Sequence, residues 1–95
     1  MSFELKQIEP GRVALLGRLD AAGADKGHLD LRALQGPLAL DCAGLDYISS
    51  AGIGVLIETF KRLKQSGHTM TLVNLLPRVR SIFAYAGLDR VLTIE

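Results

Sequence analysis

The sequence predicts a single α/β domain: a mixed, mostly parallel sheet of about four to five strands, flanked by helices, with an antiparallel hairpin at one edge. Its length of 95 residues suits one domain, residues 1–95. Hydrophobic residues make up 48 % of the chain and charged residues 22 %, which is typical of a compact domain. Strand-like apolar runs alternate with helical patterns, and this order favours right-handed crossovers and parallel strands.

Composition also limits the function. The formal net charge of +1 gives no general attraction to nucleic acid. No apolar run reaches the roughly eighteen residues of a membrane span, and "MSFELKQIEP" lacks a hydrophobic signal segment. The one cysteine, Cys42, suits a reducing compartment. We therefore expect a cytoplasmic protein that neither binds nucleic acid nor inserts into a membrane.

The first elements form the hairpin. "SFELKQI" (2–8) and "RVALLGRL" (12–19) are expected as strands joined by the turn "EPG". Asp20 ends the second strand. "AAGADKGHLDLRAL" predicts a short or irregular helix, because Gly23 and Gly27 interrupt it.

Three further strands are expected along the chain. "GPLALDC" (36–42) is nearly continuously apolar, which predicts burial on both faces, as in a parallel sheet. "HTMTLVNL" (68–75) is the next buried strand, and "RVLTIE" (90–95) is expected to close the sheet.

The strongest helix is expected from about Ala51 to Ser66, with Gly67 as its left-handed stop. Glu58 and Arg62 lie four apart and are expected to support each other. Its apolar face comprises Ile53, Leu56, Ile57, Phe60 and Leu63.

A second helix should begin at Pro77, because proline suits the first helical position. "AGL" at 86–88 is expected to supply a glycine C-cap. Its apolar face comprises Val79, Ile82, Phe83 and Ala86.

Sites in open α/β folds lie where parallel strands end. Asp20, the expected loop "AGLDYISSAG" (43–52) and "NLLPR" (74–78) should therefore share one edge of the sheet. Metal binding is not expected, because His28, His68 and Cys42 lack ligand spacing.

Serine hydrolysis is also not expected. Neither Ser49 nor Ser50 lies in a G-x-S-x-G elbow. His68 follows the far end of a helix of about sixteen residues, roughly 24 Å away, and nothing marks His28 as a base. "GIG" (52–54) lacks the third glycine of a dinucleotide fingerprint, and no Walker lysine follows.

The adjacent hydroxyls of Ser49 and Ser50 are thus left to explain. One is expected to cap the helix, because a serine oxygen accepts an orphan backbone N–H there. A phosphate at the same helix end would be well placed electrostatically. It would add up to about two negative charges near Asp20 and Asp46, and so could repel a partner without altering the fold.

Over nearly its whole length the chain resembles STAS domains, the fold of bacterial anti-sigma factor antagonists. The segments that carry the resemblance are "GRLD" (17–20), "LALDC" (38–42), "LDYISSAGIGVLIETFKRLKQSG" (45–67), "MTLVNLLPRVRSIF" (70–83) and "AGLDRVLTI" (86–94). The most specific part is the serine followed two residues later by G-I-G. The resemblance places Ser50 on the phosphoacceptor, Ala51 and Gly52 on the small residues after it, and Asp20 on the family's loop aspartate.

The resemblance implies partner switching. The unphosphorylated domain binds an anti-sigma factor that is also a serine kinase, a sigma factor is released, and a PP2C-type phosphatase resets the phosphorylated form. The domain would be a substrate and binder, not an enzyme, and it would need no cofactor. The implied partner surface comprises Asp20, Asp46, Ser49, Ser50, Ala51, Gly52 and Gly54.

Three features depart from the family pattern. Ser49 stands where the family often has aspartate, so Ser49 is an alternate acceptor. The segment 20–41 is short for the family. The sequence ends at Glu95, where relatives usually continue into a helix, and the face left open could support a homodimer. An alternative function is therefore a STAS subunit that never cycles phosphate, within a lipid-transport ATPase complex or a sensory assembly. An enzyme or small-ligand carrier is a third class, supported only by the fold.

Overall fold

Apolar strand faces and turn residues organise the chain into one mixed sheet in the computed structural model, which describes residues 3–95. The strands lie in the order β1-β2-β3-β4-β5; β1 pairs with β2 antiparallel and every other pair is parallel. This confirms the predicted fold class. The elements are β1 Glu4–Glu9, β2 Arg12–Leu19, α1 Ala24–Arg32, β3 Leu38–Ile48, α2 Ser50–Gln65, β4 Met70–Val73, α3 Pro77–Tyr85, a 3₁₀ turn Leu88–Arg90 and β5 Thr93–Ile94.

All three helices lie on one face of the sheet. From β2 to β5 the strand order follows the chain order, so right-handed crossovers place each connecting helix on the same side. Val13, Leu40 and Leu72 stand in register and are buried on that side. Ala39 and Asp41, which alternate with the buried residues of β3, are only partly buried. The prediction that residues 36–42 are buried on both faces is therefore wrong.

Strand β3 is much longer than predicted. It continues to Ile48, so most of the expected loop 43–52 is strand. Two β-bulges explain why the pattern was missed, because the β2–β3 register shifts twice along this stretch. The buried residues of β3 are Leu38, Leu40, Cys42, Leu45 and Ile48. Their spacing changes from two to three at the bulges, so simple alternation fails.

Helix α1 has nine residues, so the predicted short helix is confirmed, and of the two alternatives the irregular helix is wrong. Gly27 lies inside it and is buried. A Cβ at Gly27 would lie 3.0 Å from Leu19 Cδ1 and 3.4 Å from Val55 Cγ1. The glycine therefore lets α1 pack closely against β2 and α2, and does not break the helix.

Helix α2 buries a face displaced from the predicted one. Its buried residues are Gly52, Val55, Leu56, Thr59 and Leu63. Ile53 and Phe60 pack at the margin of the core, and Ile57 is only partly buried. Thr59 is tolerated inside because its hydroxyl donates to the Val55 carbonyl at 2.8 Å.

The expected Glu58–Arg62 pair does not form among the described residues. Arg62 Nη2 instead donates to the carbonyls of Leu31 at 2.9 Å and Leu34 at 3.1 Å. A guanidinium is favoured at the end of α1, where helix carbonyls are unsatisfied. Glu58 Oε2 lies 3.7 Å from His28 Nε2, so both side chains connect α2 to α1.

The helix ends match the sequence signals well. Gly67 at φ +81° and Gly87 at φ +72° follow α2 and α3, and Pro77 is the first residue of α3, as predicted. Val79 and Phe83 of the predicted α3 face are buried, whereas Ala86 is exposed.

Strand lengths were predicted less well. The predicted last strand, 90–95, shrinks to Thr93–Ile94 because a 3₁₀ turn precedes it. The predicted strand 68–75 shrinks to Met70–Val73. The first strand is described from Glu4, and Ser2 of its predicted range lies outside the described residues.

Candidate functional site

The ends of β2 and β3 bring Asp20 and the serine pair together. The backbone N–H of Ser49 donates to the Leu19 carbonyl at 3.0 Å, one residue before Asp20. Strand β3 reaches this edge because it extends well beyond its pairing with β4, which covers only Leu38 to Asp41.

The two serines have different environments. Ser49 has extended backbone, φ −98° and ψ 177°, and its Oγ accepts a hydrogen bond from the Gly52 N–H at 3.3 Å. Ser49 is therefore the N-cap of α2 and is partly buried. Ser50 is the first residue of the helix and is exposed. Its hydroxyl stands next to a helix end whose first N–H groups favour negative charge.

The two glycines of "GIG" also differ. A Cβ on Gly52 would lie 2.1 Å from the Leu19 carbonyl oxygen and 2.8 Å from Ile48 Cγ1, so no side chain fits. A Cβ on Gly54 would meet nothing within 4 Å. Gly52 thus lets α2 begin directly against β2, whereas Gly54 lies on the open side of the helix, near exposed Ala51.

Asp20 is engaged within the chain. Its Oδ1 accepts from the Gly23 N–H at 3.1 Å, and its Oδ2 lies 3.6 Å from Arg18 Nε. The Arg18 guanidinium also lies over the Tyr47 ring, 4.4 Å from the ring centroid. The sequence did not indicate Arg18 and Tyr47 as neighbours, because the second bulge of β3 is what places them opposite each other.

Asp46 is exposed on β3 and contacts the start of α3. Arg78 Nε donates to the Asp46 carbonyl at 3.1 Å, and Arg78 Nη2 lies 3.6 Å from Asp46 Oδ1. Asn74 follows the last residue of β4, which pairs with Asp41, so Asn74 lies beside Asp41 and not beside the end of β3. Of the predicted segment 74–78, Arg78 thus contacts the expected edge and Asn74 does not.

Two ionisable groups in the middle of β3 have shifted pKa values. The Ala43 N–H holds the pKa of Asp41 below its usual value; burial opposes this, while Asn74 and Arg12 lower it further. Burial raises the pKa of the Cys42 thiol to about 12, and the nearby Asp41 charge adds to the shift. The thiol is therefore neutral at physiological pH, which makes it a poor nucleophile.

The histidines lie elsewhere. His28 faces Glu58 between α1 and α2, and the His68 N–H donates to the Leu63 carbonyl past the end of α2. Within residues 3–95, no group of three or more His, Cys, Asp or Glu side chains could hold a metal ion. None of the helices in that part of the chain is both long and apolar enough to cross a membrane. Chemically, the site offers an exposed hydroxyl at a helix N-terminus beside a surface of small residues.

Known proteins share this sequence pattern. BtrV of Bordetella bronchiseptica, provisionally named an anti-sigma factor antagonist, is 33 % identical over 92 % of this chain and 79 % of its own. The anti-sigma-B factor antagonist of Bacillus subtilis is 31 % identical over 100 % of this chain and 91 % of its own.

Solved structures share the fold. A provisionally named anti-sigma factor antagonist of Thermotoga maritima superposes with a TM-score of 0.81 at 21 % identity, covering 97 % of this chain and 84 % of that one. The antagonist SpoIIAA matches in its unphosphorylated form, with a TM-score of 0.66 at 19 % identity over 94 % of this chain and 96 % of that one.

The SpoIIAA of Bacillus in its phosphorylated form also matches, with a TM-score of 0.69 at 19 % identity over 98 % of this chain and 90 % of that one. The STAS domain model covers residues 11–95. The family model matches most of the chain and the solved structures share its fold, so the chain belongs to the STAS domain family.

Proposed function

We propose that this protein is an anti-sigma factor antagonist controlled by phosphorylation of Ser50. Unphosphorylated, it binds an anti-sigma factor that is also a serine kinase, and a sigma factor is released in the cytoplasm. The kinase transfers the γ-phosphoryl group of its own ATP to the Ser50 hydroxyl, which releases ADP and a proton, and the complex separates. A PP2C-type phosphatase then hydrolyses the phosphoserine and restores the binding form. The names of its relatives support this function. In this role it is a substrate and a binding protein, not an enzyme, and it uses no cofactor.

The contrast between Ser49 and Ser50 is the observation that carries the choice of acceptor. Ser49 Oγ accepts the capping hydrogen bond from Gly52, and modifying it would disturb the start of α2. Ser50 is exposed, so a kinase can reach its hydroxyl without opening the fold. A phosphate there would gain from the helix dipole and would add up to about two negative charges.

The partner surface surrounds Ser50. Asp46, Ala51 and Gly54 are exposed around it, whereas Gly52 serves packing. Glycine inside a helix costs roughly 0.5–1 kcal/mol relative to alanine. Since no neighbour occupies the space beside Gly54, close approach of a partner backbone is a reason to keep glycine there.

A pull-down from the native host tests the switch. Wild type, Ser50→Ala, Ser50→Asp and Ser49→Ala are used as baits, and phosphosites are mapped on the bound material. We expect phosphate on Ser50 in wild type and Ser49→Ala, and an ATPase-fold kinase retained by every bait except Ser50→Asp. An unmodified Ser50, with one partner bound equally by all baits, would instead support the non-cycling STAS subunit.

A second experiment tests the surface itself. Gly54→Arg places a long side chain on the proposed contact surface, and Gln65→Arg places the same side chain on an exposed position at the far end of α2. We expect neither variant to melt below wild type, since arginine is a better helix former than glycine and a Cβ at Gly54 has open space, and we expect only Gly54→Arg to lose the kinase. Equal retention by both would exclude Gly54 from the interface.

A further inference from the structure

Asp41 is a charged residue that the proposed function does not use. It lies midway along β3, where β4 ends. Its Oδ1 accepts from the Ala43 N–H at 3.1 Å and from Asn74 Nδ2 at 3.2 Å. Its Oδ2 accepts from Arg12 Nη2 at 3.3 Å. One side chain therefore joins the start of β2, the first bulge of β3 and the end of β4.

The backbone at Asn74 is unusual. Asn74 has φ +60°, and within residues 3–95 it is the only residue other than glycine with a positive φ. Asparagine is one of the few side chains that tolerate this region. Because its amide donates to Asp41, the left-handed turn after β4 is tied to the bulge of β3.

The first bulge of β3 determines which of the later β3 side chains face the core and which face solvent. While β2 advances from Ala14 to Leu16, β3 advances from Asp41 to Gly44, so β3 gains one residue. A one-residue slip would send each later side chain of β3 to the other face. The bond from the Ala43 N–H to Asp41 lies inside this bulge, and an ionised acceptor makes it stronger than a neutral one.

We propose that Asp41 is the positioning residue of the serine site. By holding the first bulge, it keeps Ile48 in the core and Ser49 opposite Leu19, and thereby presents Ser50 outward. The consequence for phosphorylation rests on the proposed function, whereas the effect on the backbone does not. The Ala43 N–H, opposed by burial and aided by Asn74 and Arg12, lowers the pKa of Asp41, in agreement with a carboxylate held by these hydrogen bonds.

Amide hydrogen exchange at neutral pH tests the backbone part. Wild type, Asp41→Ala and Asp41→Asn are compared with Asp30→Asn, which removes a charge from the exposed Lys26–Asp30 pair of α1. Asp41→Ala removes all three hydrogen bonds of the carboxylate, and the charge-assisted bond to the Ala43 N–H lies in the bulge itself. We therefore expect the Ser49 N–H to exchange at least roughly tenfold faster in Asp41→Ala. Asp41→Asn keeps an acceptor for Ala43 and should lie between wild type and Asp41→Ala.

The pattern of exchange decides the outcome. Acceleration that is strongest in residues 42–50, extends only to the residues bonded to them or to Asp41, and is absent from α1 supports positioning. An equal acceleration in α1 and β4 would mean that Asp41 only stabilises the whole domain, and no acceleration would remove its role; either result overturns the proposal. If Asp41→Ala does not fold, the same comparison is made with Asp41→Asn.

Phosphorylation by the co-purified kinase provides the functional readout. Asp41→Ala should lower kcat for Ser50 more than it raises KM, and Asp41→Asn should recover part of the rate. An unchanged kcat in a variant that opens locally would contradict positioning of Ser50. If wild type is not phosphorylated at all, the proposed function fails, and the exchange data still determine whether Asp41 holds the bulge.

Discussion

Two sides of the β3–α2 junction differ in what constrains their residues. The inner set faces the core and comprises Cys42, Leu45, Ile48 and Gly52, all buried. The outer set faces solvent and comprises Asp46, Tyr47, Ser50 and Gly54, all exposed. Packing explains the inner set, whereas nothing in the core requires a hydroxyl at Ser50 or a glycine at Gly54. We therefore expect changes in the inner set to alter stability and changes in the outer set to alter binding.

Gly52→Ala should have the largest effect on stability. The new Cβ would overlap the Leu19 carbonyl oxygen, so α2 must shift away from β2. Overpacking of this kind costs about 3 kcal/mol of unfolding free energy. Urea denaturation measures it, and Gly54→Ala on the same helix is the matched control. A Gly52→Ala protein as stable as wild type would show that the junction is not tightly packed.

The second-largest effect should be a loss of stability at high pH, through Cys42 of the inner set. The pKa of Cys42 is raised to about 12 in the folded protein, so the folded state keeps its proton while the unfolded thiol ionises above about 8.5. The contribution of Cys42 to the free energy of unfolding is complete below the pKa of the unfolded thiol and is lost as the pH rises toward the folded pKa. The loss reaches about 2 kcal/mol by pH 10.

Denaturation between pH 7 and 10 checks this effect, with Cys42→Ala as the control for tyrosine and lysine titration. The wild type should lose more stability than Cys42→Ala over that range. Parallel curves for the two proteins would contradict the predicted ionisation cost.

Ser49→Ala should lower stability by about 1 kcal/mol, because the Gly52 N–H loses its capping acceptor. Ser49→Asp should keep the stability, since aspartate caps equally well. Thermal melts compare the two variants. A larger loss for Ser49→Asp than for Ser49→Ala would show that the cap position does not tolerate a charge.

Gly54→Ala should have the smallest effect on stability, and with the opposite sign. Alanine has open space there and gains roughly 0.5–1 kcal/mol of helix propensity. The same variant should weaken binding of the kinase if that partner approaches the helix closely. A stabilised variant with unchanged affinity for the kinase would show that the partner does not approach the helix closely at Gly54.

Short sequence signals by themselves determined the helix ends, the family and the fold class of this protein. The cap at the serine pair, Pro77, Gly67 and Gly87 set the helix ends, because these signals act within one turn. The serine-glycine motif indicated the family and pointed to the edge where Asp20 and Ser50 lie. The alternating strands and helices predicted the sheet.

Only the tertiary structure decided the rest. The bulges of β3 form only where it pairs with β2. Because of them, the segment predicted as a loop continues as strand, and Tyr47 lies opposite Arg18. The buried face of α2 follows from the contact of Gly52 with Leu19, which hydrophobicity alone does not reveal. Arg62 binds carbonyls of α1 and not Glu58. In each case the deciding partner lies on another strand or helix, and local periodicity carries no information about it.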